Sequence, residues 1–124
     1  MTQRILIIED QEDNRAIMRD VLSTAGYALI EAVDGAEGVR LARSERPDLI
    51  LMDIQLPVLD GYEATRQIRA VADLKSVPII AVTSYALSGD EAKSREAGCD
   101  GYVAKPFSPR ELLARVRALL PDGG

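Results

Sequence analysis

Three runs of the chain, residues 5–8, 49–52 and 78–82, are nearly unbroken apolar stretches, and each stops at a polar or acidic residue. They are too short for buried helices and they do not alternate. They therefore read as strands covered on both faces, the pattern of a parallel sheet packed between helices. A shorter run at 102–104 and a weaker one at 28–32, after Gly26, extend the series to five. Helix-period segments fill the intervals. Ile17, Met18, Val21, Leu22 and Ala25 form one apolar stripe, and Ala36, Val39 and Ala42 a second. Ala64, Ile68, Val71 and Ala72 form a third, while Leu112, Leu113, Val116, Leu119 and Leu120 form the clearest. Strand followed by helix, five times over, predicts an α/β fold with right-handed crossovers.

Local signals support the helix starts. Ser108-Pro109-Arg110-Glu111 is a capping box with proline at the first helical position, and Ser88-Gly89-Asp90-Glu91 offers a second. The helix opened by the latter, about 88–97, carries only Ala92 and Ala97, with Leu87 at its edge. It is expected to be the most weakly anchored of the set. With 124 residues, 47% of them hydrophobic and 28% charged, the chain is expected to form one domain over 1–124, with no output domain and a frayed tail at 121–124.

Absences narrow the chemistry. The chain has no histidine, which excludes Ser-His-Asp and Cys-His nucleophiles and histidine-ligated metals. A single cysteine, Cys99, excludes an intrachain disulfide and cysteine-rich zinc sites, and is expected to be a small buried thiol. The net charge of −5 argues against gripping nucleic acid by bulk charge. No apolar run is long enough for a membrane span and no leader pattern is evident, so a cytoplasmic location is expected.

What remains collects at the strand ends, where open parallel sheets bind ligands. The first strand ends in Glu9-Asp10, the third in Asp53, the fourth in Thr83-Ser84 and the fifth in Lys105-Pro106. Each residue alone has an ordinary explanation as a helix cap or a solvated charge. Together they need another. Two carboxylates about 4 Å apart repel by about 4 kcal/mol at an effective dielectric of 20, so three of them call for a cation. A hard divalent ion such as Mg²⁺ suits oxygen ligands and a shared phosphoryl oxygen. Lys105 supplies a point charge, and the hydroxyls of Thr83 and Ser84 supply donors. This is the equipment for moving a phosphoryl group onto a carboxylate.

The motifs Ile5-Leu6-Ile7-Ile8-Glu9-Asp10, Leu49-Ile50-Leu51-Met52-Asp53-Ile54-Gln55-Leu56-Pro57 with Gly61, Ile79-Ile80-Ala81-Val82-Thr83-Ser84 and Lys105-Pro106-Phe107, in that order, resemble the receiver domains of bacterial two-component response regulators. The likeness covers essentially the whole chain and is strongest to the stand-alone regulators of the cell-cycle and chemotaxis type. It implies a flavodoxin-like, doubly wound (βα)5 sheet of strand order 2-1-3-4-5. It also implies Asp53 as phosphoacceptor, Mg²⁺ held by Glu9, Asp10, Asp53 and the Gln55 carbonyl, Thr83 as sensor of the phosphoryl group and Lys105 as its ion-pair partner. A cis Lys105–Pro106 bond and a rotating aromatic at Tyr102 belong to the same implication. Ser84 departs from the alanine usual there.

By this reading the chain is a phosphoacceptor switch and not a turnover enzyme. Its donor would be a sensor histidine kinase or a histidine phosphotransfer protein, and its output a contact with a downstream protein. The expected output face comprises the helix at 88–97, the last strand and the last helix, with Tyr102, Lys93 and Arg110. A phosphatase using an aspartyl phosphate would want an acid where Gln55 stands. A flavin module would need a phosphate-cradling loop where Glu9-Asp10 stand, and no glycine-rich phosphate loop occurs. Gly26, Gly61 and Gly98 are expected to end or turn elements.

Overall fold

The computed structural model describes residues 2–84 and 90–120. The elements are β1 (Arg4–Ile8), α1 (Glu12–Thr24), β2 (Ala28–Ala32), α2 (Gly35–Glu45), β3 (Leu49–Asp53), α3 (Gly61–Arg69), β4 (Ile79–Thr83), α4 (Asp90–Ala97), β5 (Gly101–Ala104) and α5 (Pro109–Leu119), with a 3-10 turn at Ala72–Leu74. The five strands are parallel in the order β2-β1-β3-β4-β5, as the resemblance implied. The second capping box, through Ser88 and Gly89, and the tail at 121–124 lie outside the described residues.

Both faces of the sheet are covered, and β3, at its centre, shows how. Leu49 and Leu51 face a cluster with Met18 and Leu22 of α1 and Leu112 and Val116 of α5. Ile50 and Met52 face the opposite cluster, with Val39 and Ala42 of α2 and Ala64 and Ile68 of α3. Each large side chain buried this way contributes about 1.5–3 kcal/mol, so the unbroken runs seen in the sequence are the dominant stabilising feature.

The helix stripes are offset in places. Ile17 is 46% exposed, and in α1 the burial falls to Met18 and Leu22. Ala36 points outward; Gly35 and Gly38 take the inward positions of α2, where a Cβ on Gly38 would meet the Ile8 side chain. Val71 and Ala72 fall outside α3, in the 3-10 turn and its cap. In α4, Ala97 is buried as expected, but its companion is Ser94 rather than Ala92, so the apolar anchorage is as thin as the sequence indicated. Gly26 and Gly98 adopt φ of 98° and 118°, which terminates α1 and α4. Ser108 caps α5, accepting the Glu111 N–H at 3.0 Å. No helix among the described residues is long and apolar enough to cross a membrane.

One tie was invisible in the sequence. The Arg69 guanidinium, at the end of α3, donates to the carbonyls of Leu74 (2.9 Å), Val77 (2.7 Å) and Gly98 (2.9 Å) and to the Asp100 carboxylate (2.7 Å). Asp100 also accepts the Ile79 N–H. This cross-brace holds the starts of β4 and β5 at the edge of the sheet opposite the acidic cluster.

Candidate functional site

The parallel register brings the sequence-predicted residues to one edge. Ile8 pairs with both Ala32 and Met52, Asp53 with Val82, and Thr83 with Ala104, so the residues after each strand emerge side by side. Glu9, Asp10 and Asp53 each place a carboxylate oxygen within 4.8 Å of the others. Glu9 is fully buried and Asp53 is 2% exposed, whereas Asp10 is partly open to solvent.

The acids are held differently. Glu9 accepts the Gln11 N–H at 3.0 Å on one oxygen and the Lys105 ammonium at 2.8 Å on the other. Asp53 accepts the Gln55 N–H at 3.0 Å and faces Lys105 at 3.3 Å. Lys105 thus bridges two buried carboxylates and lies closer to Glu9, a partner that the sequence reading did not assign to it. Among the described residues, Asp10 has only the Gln11 side-chain amide, at 3.4 Å. Burial is the main cause that pushes the Asp53 carboxyl up to about 7, helped by the hydrogen bond and charge of Glu9 and opposed by the Gln55 N–H and Lys105. Burial works against the charge on Lys105, but Glu9 and Asp53 together outweigh it and the pKa of the ammonium is raised.

Thr83, fully buried at the end of β4, accepts the Lys105 N–H on its backbone carbonyl at 2.7 Å, which ties the two strand ends together. The Lys105–Pro106 bond is cis. Ser84 is exposed beside Thr83, and Gln55 is half-buried beside Asp53. Tyr102 is a half-buried ring on β5, packed against the α2–α3 cluster, and shares a small surface pocket with Glu91, Ser94, Arg95 and Arg115. Lys93 is exposed on α4. Arg110 stands apart from this group: it lines an apolar groove between α1 and α5, with Val21 and Leu113, and Arg115 is the α5 residue beside Tyr102. Cys99 is a buried thiol 3.7 Å from the Thr65 hydroxyl, and burial pushes its pKa up to about 11, so it is inert.

Gly61 differs from expectation. It opens α3 and has no positive φ; its need is close approach, because a Cβ there would lie 2.5 Å from the Asp53 carbonyl oxygen and 2.6 Å from the Ile54 Cα. Neither backbone atom can move without shifting Asp53. Gly61→Ala should lower stability by about 1–3 kcal/mol, as overpacking does. It should also disturb the Asp53 amide and carboxyl resonances; an unchanged melting midpoint would contradict the close contact.

The oxygen-only donor set, anionic and buried except at Asp10, with one ammonium as its sole bridging cation among the described residues, fits a small hard cation such as Mg²⁺. The family model described as the response regulator receiver domain matches residues 5–117. The polar-differentiation response regulator DivK of Brucella ovis is 41% identical over 122 residues, which span 98% of this chain and 99% of DivK. Among solved structures, the receiver domain of the sensor histidine kinase PA1611 of Pseudomonas aeruginosa, with a magnesium ion coordinated in its active site cleft, is 43% identical at a TM-score of 0.90, covering 97% of this chain and 98% of that one. The chemotaxis protein CheY4 of Vibrio cholerae superposes with a TM-score of 0.91 at 28% identity, covering 96% and 99%. A match over nearly the whole chain, to a family whose fold and acidic pocket are the ones found here, establishes that this chain belongs to the response regulator receiver domains and serves two-component signalling.

Proposed function

We propose that Asp53 is the phosphoacceptor of a switch that takes its phosphoryl group from a histidine on a sensor kinase or phosphotransfer protein and signals by protein contact. The observation that carries this reading is the position of Asp53: a carboxylate 2% exposed, at the end of the central strand, with two further acids and Lys105 around it. An Asp53 oxygen attacks phosphorus, the phosphorus–nitrogen bond to the donor ring breaks, and that ring, protonated on its other nitrogen beforehand, leaves as neutral imidazole. Glu9, Asp10 and Asp53, with the Gln55 carbonyl, would hold Mg²⁺, which when bound neutralises charge on the phosphoryl oxygens. Lys105 pairs with one phosphoryl oxygen, and the Thr83 hydroxyl donates to another. Phosphorylation adds nearly two negative charges beside Thr83. Movement of Thr83 toward that group would let Tyr102 repack and shift the thinly anchored α4. The face formed by Tyr102, Lys93 and Arg115 is thus the proposed output surface, provided its partner prefers one of the two states.

The test is incubation with a small acyl phosphate and Mg²⁺, followed by intact-mass measurement. One added phosphoryl group is expected, labile to hydroxylamine, absent in Asp53→Asn and absent with a chelator. Full incorporation in Asp53→Asn would overturn the assignment. Mg²⁺ at about 100 times its dissociation constant should also raise stability by about 2.7 kcal/mol. A melting midpoint indifferent to Mg²⁺ would count against the metal site.

A further inference from the structure

Asp10 is the least secured of the three clustered acids. Lys105 pairs with both Glu9 and Asp53 but not with Asp10, whose only hydrogen bond among the described residues is the long one from the Gln11 amide. Repulsion from two neighbouring carboxylates would turn Asp10 outward unless its backbone were held. The backbone is held on both sides of Glu9. The Glu9 N–H donates to the Ala32 carbonyl at 3.1 Å, and the Glu9 carbonyl, half of the peptide group that carries Asp10, accepts from Arg15 Nη1 at 2.9 Å.

Arg15 is built into place. Its side chain is 12% exposed, its Nε donates to Glu31 on β2 at 3.1 Å, and its Nη2 pairs with Glu12. Glu31 is itself gripped by Arg19 at 2.8 and 2.9 Å, and that pairing chiefly holds its carboxyl below the usual range. Arg15 is therefore a rigid strut from β2 to the Glu9–Asp10 peptide. Its planar fork reaches three separated acceptors from three different nitrogens, a spread that the single nitrogen of a lysine does not span.

The geometry points to Arg15 as a positioning residue for the metal site, acting through the Glu9 carbonyl to keep the Asp10 carboxylate turned into the acidic cluster. The inference rests on the proposed Mg²⁺ site. Outer partners of this kind typically alter metal affinity by about 10- to 100-fold when removed.

The experiment is Mg²⁺ titration by calorimetry of the full chain, as parent, Arg15→Met, Arg15→Lys, Glu31→Gln, Asp10→Asn and the Arg15→Met/Asp10→Asn pair. Metal-free melting and the rate of Asp53 phosphorylation against Mg²⁺ concentration are measured in parallel. Arg15→Met should weaken Mg²⁺ binding by about tenfold, with Arg15→Lys and Glu31→Gln between it and the parent. At saturating Mg²⁺ the phosphorylation rate should return to near the parent value, a split that general loss of structure would not produce. In the Asp10→Asn background, Arg15→Met should have no further effect on affinity. The inference fails if Arg15→Met binds Mg²⁺ as the parent does, or if its loss is undiminished in the Asp10→Asn background. Should Arg15→Met not fold, unchanged affinity in Glu31→Gln overturns it and weakened affinity with a normal melt supports it. A parent that binds no Mg²⁺ defeats the metal-site reading itself, an outcome distinct from failure of the Arg15 variants alone.

Discussion

Without divalent cations, the protein should become less stable as the pH rises from about 4 to about 7, and Asp53→Asn should remove most of that slope. The reason is the Asp53 carboxyl, which burial beside Glu9 raises from an ordinary 3.8 to about 7. In this window the folded state binds a proton that the unfolded state has released, so stability falls as the pH climbs. The gap is worth up to about 4 kcal/mol, an upper figure because solvent relaxation around the buried group offsets part of it. Glu31 acts in the opposite sense, since its carboxyl is held low, but its contribution is lost only on acidification below about 4.5. The metal-free stability curve should therefore peak on the acid side of neutrality. Urea unfolding at a series of pH values checks this. A metal-free parent as stable at neutrality as at pH 5, or an Asp53→Asn variant with the same slope, would refute it. Saturating Mg²⁺ should flatten the parent curve by favouring the ionised carboxylate.

Replacement of Arg69 should have a comparable effect by a different route. Arg69→Met keeps the aliphatic stem but leaves three part-buried carbonyls without this donor, while Asp100 keeps the Ile79 N–H. Each acceptor so stranded costs about 1–3 kcal/mol before relaxation and water recover part of it. A net loss of about 3 kcal/mol is expected, read as a lower denaturation midpoint in urea. Arg69→Lys should recover little, because a single ammonium cannot span the same acceptors. Arg40→Met, removing an exposed pair with Glu37, serves as the comparison and should cost less than about 0.5 kcal/mol. A loss below about 1 kcal/mol in Arg69→Met would mean that the brace is dispensable.

The strands were legible because burial on both faces leaves an unmistakable mark: residues 5–8 and 49–52 admit almost nothing but aliphatic side chains. Their ends were legible for the same reason, since a polar or acidic residue interrupts each run at the carboxyl end of its strand, and those interruptions are Glu9, Asp53 and Thr83. Helix faces were read less well. Gly35 and Gly38 carry no hydropathy signal, yet Gly38 is pressed on the Ile8 side chain of the sheet and Gly35 on the loop after β3, at Leu59. Contacts made by long side chains left no periodic trace at all. Arg15 and Arg69 each reach across several elements, and no spacing rule announces which arginine will be a strut and which a surface charge. The placement of Arg110 was missed for a related reason: its helix borders two different grooves, and sequence alone does not say which groove its first turn lines.

The alternation along β3 has a consequence for how such a chain diverges over evolutionary time. Odd and even residues of the central strand feed separate packing clusters, one shared with α1 and α5 and the other with α2 and α3, and the sheet backbone stands between them. Substitutions in one cluster need compensation only from residues on the same side. Two lineages can therefore remodel one flank while inheriting the other nearly intact.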